Sequence, residues 1–253
     1  MSLSNLWKIA KTVAFMVGAM VLFGLQGFGE TGRKRRRIFL RNVFLAWSRF
    51  CMRTFGVKLK VEGHAFFPQD RNRPIVLLCN HQSQLDIPIL VLATESVLGF
   101  VAKKELTRFP ILAYWIRQIG CIPIDRSDRN HARKSLEKGA EILAAPRIPG
   151  IDSDRNPIVV FPEGTRSKTG QLLPIRMGGI RMAIMAKALV VPVYIQDSRK
   201  AFEARLPSHS PWVPVKARIF PSLDTENYVD EKASWLQVKE HLEKCWKEAE
   251  TSV

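Results

Sequence analysis

The sequence predicts an α/β protein, a central and mostly buried sheet flanked by helices and preceded by an N-terminal helical segment. Three observations carry that prediction. From Lys58 onward, short apolar runs at 59–61, 75–79, 98–101, 158–161 and 190–195 alternate with stretches of helical period at 87–93, 111–119, 133–145 and 179–188. That alternation builds a sheet with helices packed on it. The 253 residues suffice to bury one sizeable core, and nothing in them demands a second. Finally, residues 12–29 carry no charged side chain and residues 33–37 are all Lys or Arg, which sets residues 1–57 apart in character from residues 58–253.

The N-terminal segment reads as membrane-associated. Eighteen helical residues reach about 27 Å, just short of a hydrocarbon core of about 30 Å, so residues 12–29 either span a bilayer or lie in one leaflet. The chain has a net charge of +16, and residues 1–41 hold eight Lys or Arg against one acid. A basic cluster following an apolar helix binds anionic headgroups and stays on the cytoplasmic side. A signal peptide is the competing interpretation, but Gly27-Phe28-Gly29 is a poor cleavage site and the cluster opposes translocation. Residues 38–52 repeat apolar side chains at helical spacing, with Trp47 among them and Arg41 and Arg49 between. An interfacial helix has that pattern, as does an ordinary packing helix; its place beside residues 12–29 favours a two-helix membrane-associated unit.

Elsewhere the excess of positive charge finds no nucleic-acid signature. There is no zinc-finger spacing, no aromatic RNA-binding motif and no Gly-rich loop leading into a helix, so no nucleic acid is expected as a partner. Residues 146–156 read as a surface loop, and residues 230–247 as a closing amphipathic helix. Cys51, Cys79, Cys121 and Cys245 lack paired spacing and sit among apolar neighbours, as reduced structural cysteines do. The histidines have no ligand spacing, and neither metal nor cofactor is expected.

Two corners carry the chemistry. The first, residues 79–88, reads Cys-Asn-His-Gln-Ser-Gln-Leu-Asp-Ile-Pro. Pro88 confines the helix start to residues 83–86, because proline fits only a first helical turn. In one continuous helix, residues five apart lie about 140° apart. A strand-to-helix corner instead lets His81 fold back onto Asp86. A neutral imidazole held by a carboxylate can take the proton of an attacking alcohol, worth roughly a hundred- to ten-thousandfold in rate. Cys79, two residues earlier, leaves an acyl-thiol route open if strand alternation puts it on the face of His81.

The second corner, residues 159–166, reads Val-Val-Phe-Pro-Glu-Gly-Thr-Arg. Together with the His-x4-Asp corner it resembles the glycerolipid acyltransferases, in particular the 1-acylglycerol-3-phosphate acyltransferases. Gly120-Cys-Ile-Pro-Ile-Asp-Arg126 between the corners and Val190-Val-Pro-Val-Tyr-Ile195 after them extend the likeness over residues 58–196. One departure is Pro123, where relatives often carry an aromatic residue.

The resemblance implies that His81, oriented by Asp86, deprotonates the free hydroxyl of a lysophosphatidate acceptor. The donor would be acyl-CoA or acyl-carrier protein, the product phosphatidate, and the setting the cytoplasmic face of a phospholipid membrane. Arg126 and Arg166 end apolar runs and suit phosphate oxygens, since a guanidinium is a planar and permanently charged fork. Lys103 matches the lysine that precedes the second block in relatives, with Lys104 as the alternative. Glu163, Gly164 and Thr165 are implied to shape the acceptor site; Glu163 either touches substrate or ties down the turn. Two other functions stay open: transfer to glycerol-3-phosphate or another lysolipid, and non-catalytic binding of anionic lipid.

Overall fold

A computed structural model describes residues 3–24, 29–70, 72–125, 128–145, 156–204 and 212–251. In chain order the elements are α1 (Leu3–Gly24), α2 (Gly29–Phe55), β1 (Val57–Glu62), β2 (Ile75–Cys79), α3 (Asp86–Thr94), β3 (Gly99–Lys103), α4 (Pro110–Gln118), β4 (Ile122–Ile124), α5 (Arg129–Ala144), β5 (Ile158–Val160), α6 (Met177–Met185), β6 (Leu189–Gln196), α7 (Ser198–Ala201), β7 (Val213–Ile219), β8 (Leu223–Asp224) and α8 (Lys232–Thr251). Among the described residues these strands form one sheet, ordered β1-β7-β6-β2-β5-β3-β4, with β8 against β6. The predicted α/β architecture, a central sheet flanked by helices, is the observed one.

Strand direction decides where chemistry can gather. β6, β2, β5, β3 and β4 run parallel, so their carboxyl ends line one edge. β7 and β8 run antiparallel to β6, and β1 runs parallel to β7. The loops that leave β2, β5 and β6 therefore emerge side by side, the usual position for sites in such sheets.

The core lies on both faces of β2, which explains its unbroken apolar sequence. Ile75, Leu77 and Cys79 join a cluster with α2, α3 and Trp115, whereas Val76 and Leu78 face α5, α6 and α8, as the two-residue period of a strand requires. Val76, Leu77 and Leu78 are all fully buried. At about 1.5–3 kcal/mol per buried aliphatic side chain, this strand anchors the loop that follows it. Leu77→Ala would cost about 2–5 kcal/mol through the cavity it leaves.

The helix expected at 38–52 is part of the longer α2. Its apolar stripe meets protein: Leu40, Val43, Phe44, Cys51, Met52 and Phe55 are buried, and the Phe44 ring lies edge-on to Trp115 at 5.5 Å. α1 is different. Met16 and Ala19 are buried, yet Leu6, Trp7, Val13, Val21 and Leu22 are exposed. Among the described residues no helix is long and apolar enough to cross a membrane. Residues 25–28 of the apolar stretch, and residues 146–155 of the expected surface loop, lie outside the described residues.

Apolar runs do not mark β4, β7 or β8. β7 buries Val215, Ala217 and Ile219 and alternates them with Pro214, Lys216 and Arg218. It is covered chiefly on one face, so it shows alternation rather than a run, and Pro214 disguises it further.

Candidate active site

β2 stops at Cys79 because the next residue replaces a rung of the ladder with its side chain. The Asn80 amide donates to the Ile195 carbonyl at 2.8 Å and accepts the Ile195 N–H at 2.7 Å, tying the ends of β2 and β6 together while the backbone turns away. The turn closes where Ser83 Oγ accepts the Leu85 N–H, and α3 begins at Asp86 with Pro88 in its first turn.

His81 folds back onto Asp86 across that turn. Its Nδ1 lies 2.8 Å from Asp86 Oδ2, and the same oxygen accepts the N–H groups of Gln82 and Ser83 at 2.8 and 2.9 Å. Asp86 is wholly buried. A carboxylate can only accept hydrogen bonds, so Nδ1 carries the ring hydrogen and Nε2 keeps its lone pair. The His81 side chain is 17% exposed, and the Phe161 ring stacks on it, with centroids 3.9 Å apart and planes at 14°. The pairing expected from the sequence is present, with Nε2 as the available base.

The second corner braces the first. Glu163 Oε1 accepts the His81 N–H at 2.7 Å, and Oε2 accepts the Leu173 N–H at 2.9 Å; the Ser167 N–H reaches the His81 carbonyl at 2.8 Å. Burial pushes the Glu163 carboxyl up, opposed by those two backbone donors. Of the two roles left open by the sequence, the contacts here are those of a tie between turns. Gly164 adopts φ +75°, and a Cβ there would stand 3.1 Å from Arg176 Nε. The glycine thus serves both a left-handed turn and the packing of a guanidinium.

The expected cations are distributed unevenly. Arg166 pairs with Glu203 at 3.1 Å, and Glu203 also accepts the Gln84 N–H at 2.9 Å, which directs this arginine away from β5 and towards the α7 end of β6. Lys103 ends β3 on the functional edge and meets Glu105 at 3.5 Å, while Lys104 meets Asp125 at 3.3 Å. Thr165 is exposed on the turn. Arg126 lies outside the described residues.

A cavity of about 870 Å³ opens beside this corner, on the α5–α6 face of the sheet, with Phe161, Leu136, Met177, Met182, Met185 and Trp235 among its walls. Phe161 is thus shared between His81 and the cavity. Arg133, Arg176 and Arg181 also line it, and Arg166 does not. Arg133 and Arg181 pair with Glu137, and Arg181 with Asp230. Among the described residues no carboxylate pairs with Arg176. A smaller hollow of about 370 Å³, bordered by Arg37, Arg41, His64 and Pro157, opens at the opposite edge of the parallel strands and holds none of the corner residues.

The acyl-thiol alternative does not survive the geometry. The strand ends at Cys79, so alternation never carries over to His81, and the thiol is fully buried on the α3 face. Burial, together with the nearby Asp86 and Glu163 carboxylates, raises its pKa well above the ordinary value. A nucleophilic thiolate needs the reverse.

A family model described as "Acyltransferase" matches residues 58–196, more than half of the chain. The chain belongs to the acyltransferase family. It is 27% identical over 184 residues to a 1-acyl-sn-glycerol-3-phosphate acyltransferase of Cocos nucifera, covering 73% of this chain and 56% of that protein. Against the protein of the same name from Saccharomyces cerevisiae it is 30% identical over 179 residues, covering 70% and 55%. The chain therefore spans a little over half the length of these curated relatives. The crystal structure of the 1-acyl-sn-glycerophosphate acyltransferase PlsC from Thermotoga maritima aligns with a TM-score of 0.73 at 22% identity, covering 98% of this chain and 95% of that one, a likeness of fold.

Three members of this acyltransferase corner escaped the sequence reading. Asn80 directly precedes the histidine, and Arg176 follows the second corner by ten residues; neither position is unusual for a surface polar residue. Ser198 follows the 190–195 run, and its hydroxyl donates to Asp86 Oδ1 at 2.5 Å. It becomes meaningful only once the ends of β2 and β6 are side by side.

Proposed function

We propose that this acyltransferase-family chain moves an acyl group from a thioester, acyl-CoA or acyl-carrier protein, to the sn-2 hydroxyl of 1-acylglycerol-3-phosphate. The products are phosphatidate and a free thiol. The observation that carries this is the His81–Asp86 pair, 2.8 Å apart with Nε2 left as the base, stacked on Phe161, which also lines a largely apolar cavity. Names of the curated relatives support the acceptor.

In the reaction His81 Nε2 takes the hydroxyl proton as the oxygen attacks the thioester carbonyl. Asp86 stabilises the imidazolium that forms. When the tetrahedral intermediate collapses, the carbon–sulfur bond breaks and the imidazolium proton passes to the departing thiolate, which leaves His81 neutral for the next cycle. Phe161 keeps bulk water from one face of the ring. The apolar cavity suits an acyl chain, and Arg176 at its wall suits a phosphate, with Lys103 and Arg126 as further cationic partners. The exposed apolar side chains of α1 and the basic cluster at 33–37 support attachment to a phospholipid membrane, with the acyltransferase domain (58–253) on the cytoplasmic face.

The test is phosphatidate formation by the purified full chain, with CoA and carrier-protein thioesters side by side. Lysophosphatidate, glycerol-3-phosphate and a lysolipid without a phosphate monoester serve as acceptors. Intersecting initial-rate lines are expected, since direct transfer needs both substrates at once. His81→Ala should lower turnover by roughly a hundredfold or more. Asp86→Asn should lose less, because three donors on Oδ2 hold an amide oxygen in the same place, while the charge and the acceptor for the Ser198 hydroxyl are removed. Vesicle binding without thiol release from any acceptor would make the chain a lipid binder instead.

A further inference from the structure

Asp86 divides its work unequally between its two oxygens. Oδ2 takes three donors: His81 Nδ1 and the backbone N–H groups of Gln82 and Ser83. Oδ1 takes one, the Ser198 hydroxyl, at 2.5 Å. Both side chains are completely buried, so water cannot substitute for a lost partner. Charge-assisted O–H···O⁻ bonds of about 2.5–2.7 Å are the stronger kind, and this one reaches across 112 residues of sequence.

The fold goes to some length to bring Ser198 there. The Asn80 amide grips both backbone groups of Ile195, fixing the end of β6 beside the end of β2. Two residues later Asp197 turns the chain through the left-handed region at φ 67°, a conformation that a side chain with a Cβ adopts at a cost. Ser198 then opens the short helix α7 with its hydroxyl aimed at Asp86. The turn after α7 returns at Glu203 to the Gln84 N–H, so both ends of the segment hold the histidine turn.

We propose, on the footing of the acyl transfer put forward above, that Ser198 is a positioning residue for that reaction, completing a His81–Asp86–Ser198 chain in which the serine holds the Asp86 carboxylate oriented behind the base. Without the hydroxyl, Oδ1 is buried with no donor among the described residues. The carboxylate is then held through Oδ2 alone and tilts off the Nδ1–H line, so it stabilises the imidazolium less, and it does so in the transition state rather than in substrate binding. The effect belongs to turnover and not to the Michaelis constants.

The test compares Ser198→Ala and Ser198→Thr with the parent chain in detergent micelles. Ser198→Ala removes one oxygen and should lower kcat about tenfold, with KM for lysophosphatidate and for the acyl thioester within about twofold. Ser198→Thr retains the hydroxyl and should recover at least half of the lost activity. A second readout needs no activity: the His81 Nδ1–H proton resonance, assigned by its absence in His81→Ala, should move upfield in Ser198→Ala. If the parent chain transfers no acyl group, the proposed function fails by itself while the resonance still tests the serine. A folded Ser198→Ala protein with unchanged kcat and an unmoved resonance overturns the proposal. A loss expressed in KM alone overturns it as well, and marks Ser198 as part of the packing around substrate.

Discussion

Glu163 holds His81 by its backbone. One carboxylate oxygen takes the His81 N–H at 2.7 Å and the other takes the Leu173 N–H at 2.9 Å, so the loops after β2 and β5 are joined by a single buried side chain, 3% exposed. The imidazole is thus fixed at both ends, its ring by Asp86 and its main chain by Glu163.

Glu163→Gln tests this brace. A glutamine offers one oxygen where two N–H groups need acceptors, and its NH₂ must face the other donor. One clamp is lost, at about 1–3 kcal/mol for a buried group left without a partner. Turnover should fall about tenfold with a lower melting temperature, and His81 should become more accessible to an imidazole-modifying reagent. Unchanged kinetics together with an unchanged melting temperature would reject the brace.

The phosphate partner can be separated by two substitutions. Arg166 already holds Glu203, whereas Arg176 lines the cavity and pairs with no carboxylate among the described residues. Arg176→Ala should raise KM for lysophosphatidate about ten- to a hundredfold, the worth of a charge-assisted bond, and Arg176→Lys should recover only part of it. Arg166→Ala should act mainly on stability, through the loss of a partly exposed ion pair worth up to about 1 kcal/mol. If Arg166→Ala alone raises that KM, the acceptor phosphate belongs on the β6 side of the corner.

Membrane attachment is tested on α1 and not by removing the N-terminus. α2 supplies Phe44, Cys51, Met52 and Phe55 to the core, so a deletion through it would unfold the protein. Replacing Trp7, Val21 and Leu22 by serine leaves the buried Met16 and Ala19 in place and should weaken co-sedimentation with phospholipid vesicles roughly tenfold or more. Reversing the charges at 33–37 should weaken binding to anionic vesicles, most at low salt, where screening is longer-ranged. Equal sedimentation of parent and serine variant would remove α1 as the anchor.

Arg73 and Asp224 provide a pH-linked check on the fold. The guanidinium donates to both carboxylate oxygens, at 2.6 and 2.7 Å, and with the Glu226 N–H it lowers the Asp224 pKa from 3.8 to about 2. A lowered acid pKa stabilises the folded state above the unfolded value of 3.8, and that stability is lost as pH falls through about 2. Asp224 is more than half exposed, so the contribution stays small, below about 1 kcal/mol. Melting curves of parent and Arg73→Ala should differ slightly at neutral pH and converge in strong acid. A gap that widens in acid would contradict the pairing.

What the sequence by itself determined was local. Unbroken apolar runs identify β2, β5 and β6 because strands buried on both faces need apolar side chains at every position, and Pro88 locates the start of α3 because a ring nitrogen cannot continue a helix. The His81–Asp86 pair was legible for the same reason: five residues and one corner bring the partners together. β7 was hidden because a strand packed chiefly on one face leaves only alternation, and Pro214 interrupts even that. The tertiary structure alone decided the long-range partners. Glu163 reaches His81, Asn80 reaches Ile195 and Ser198 reaches Asp86 because the parallel strands β6, β2 and β5 bring their carboxyl ends to one edge. Arg166 turns to Glu203 and leaves the cavity to Arg176 for a related reason. Which carboxylate neutralises which arginine depends on distances across the folded chain, and those do not exist until the sheet is assembled.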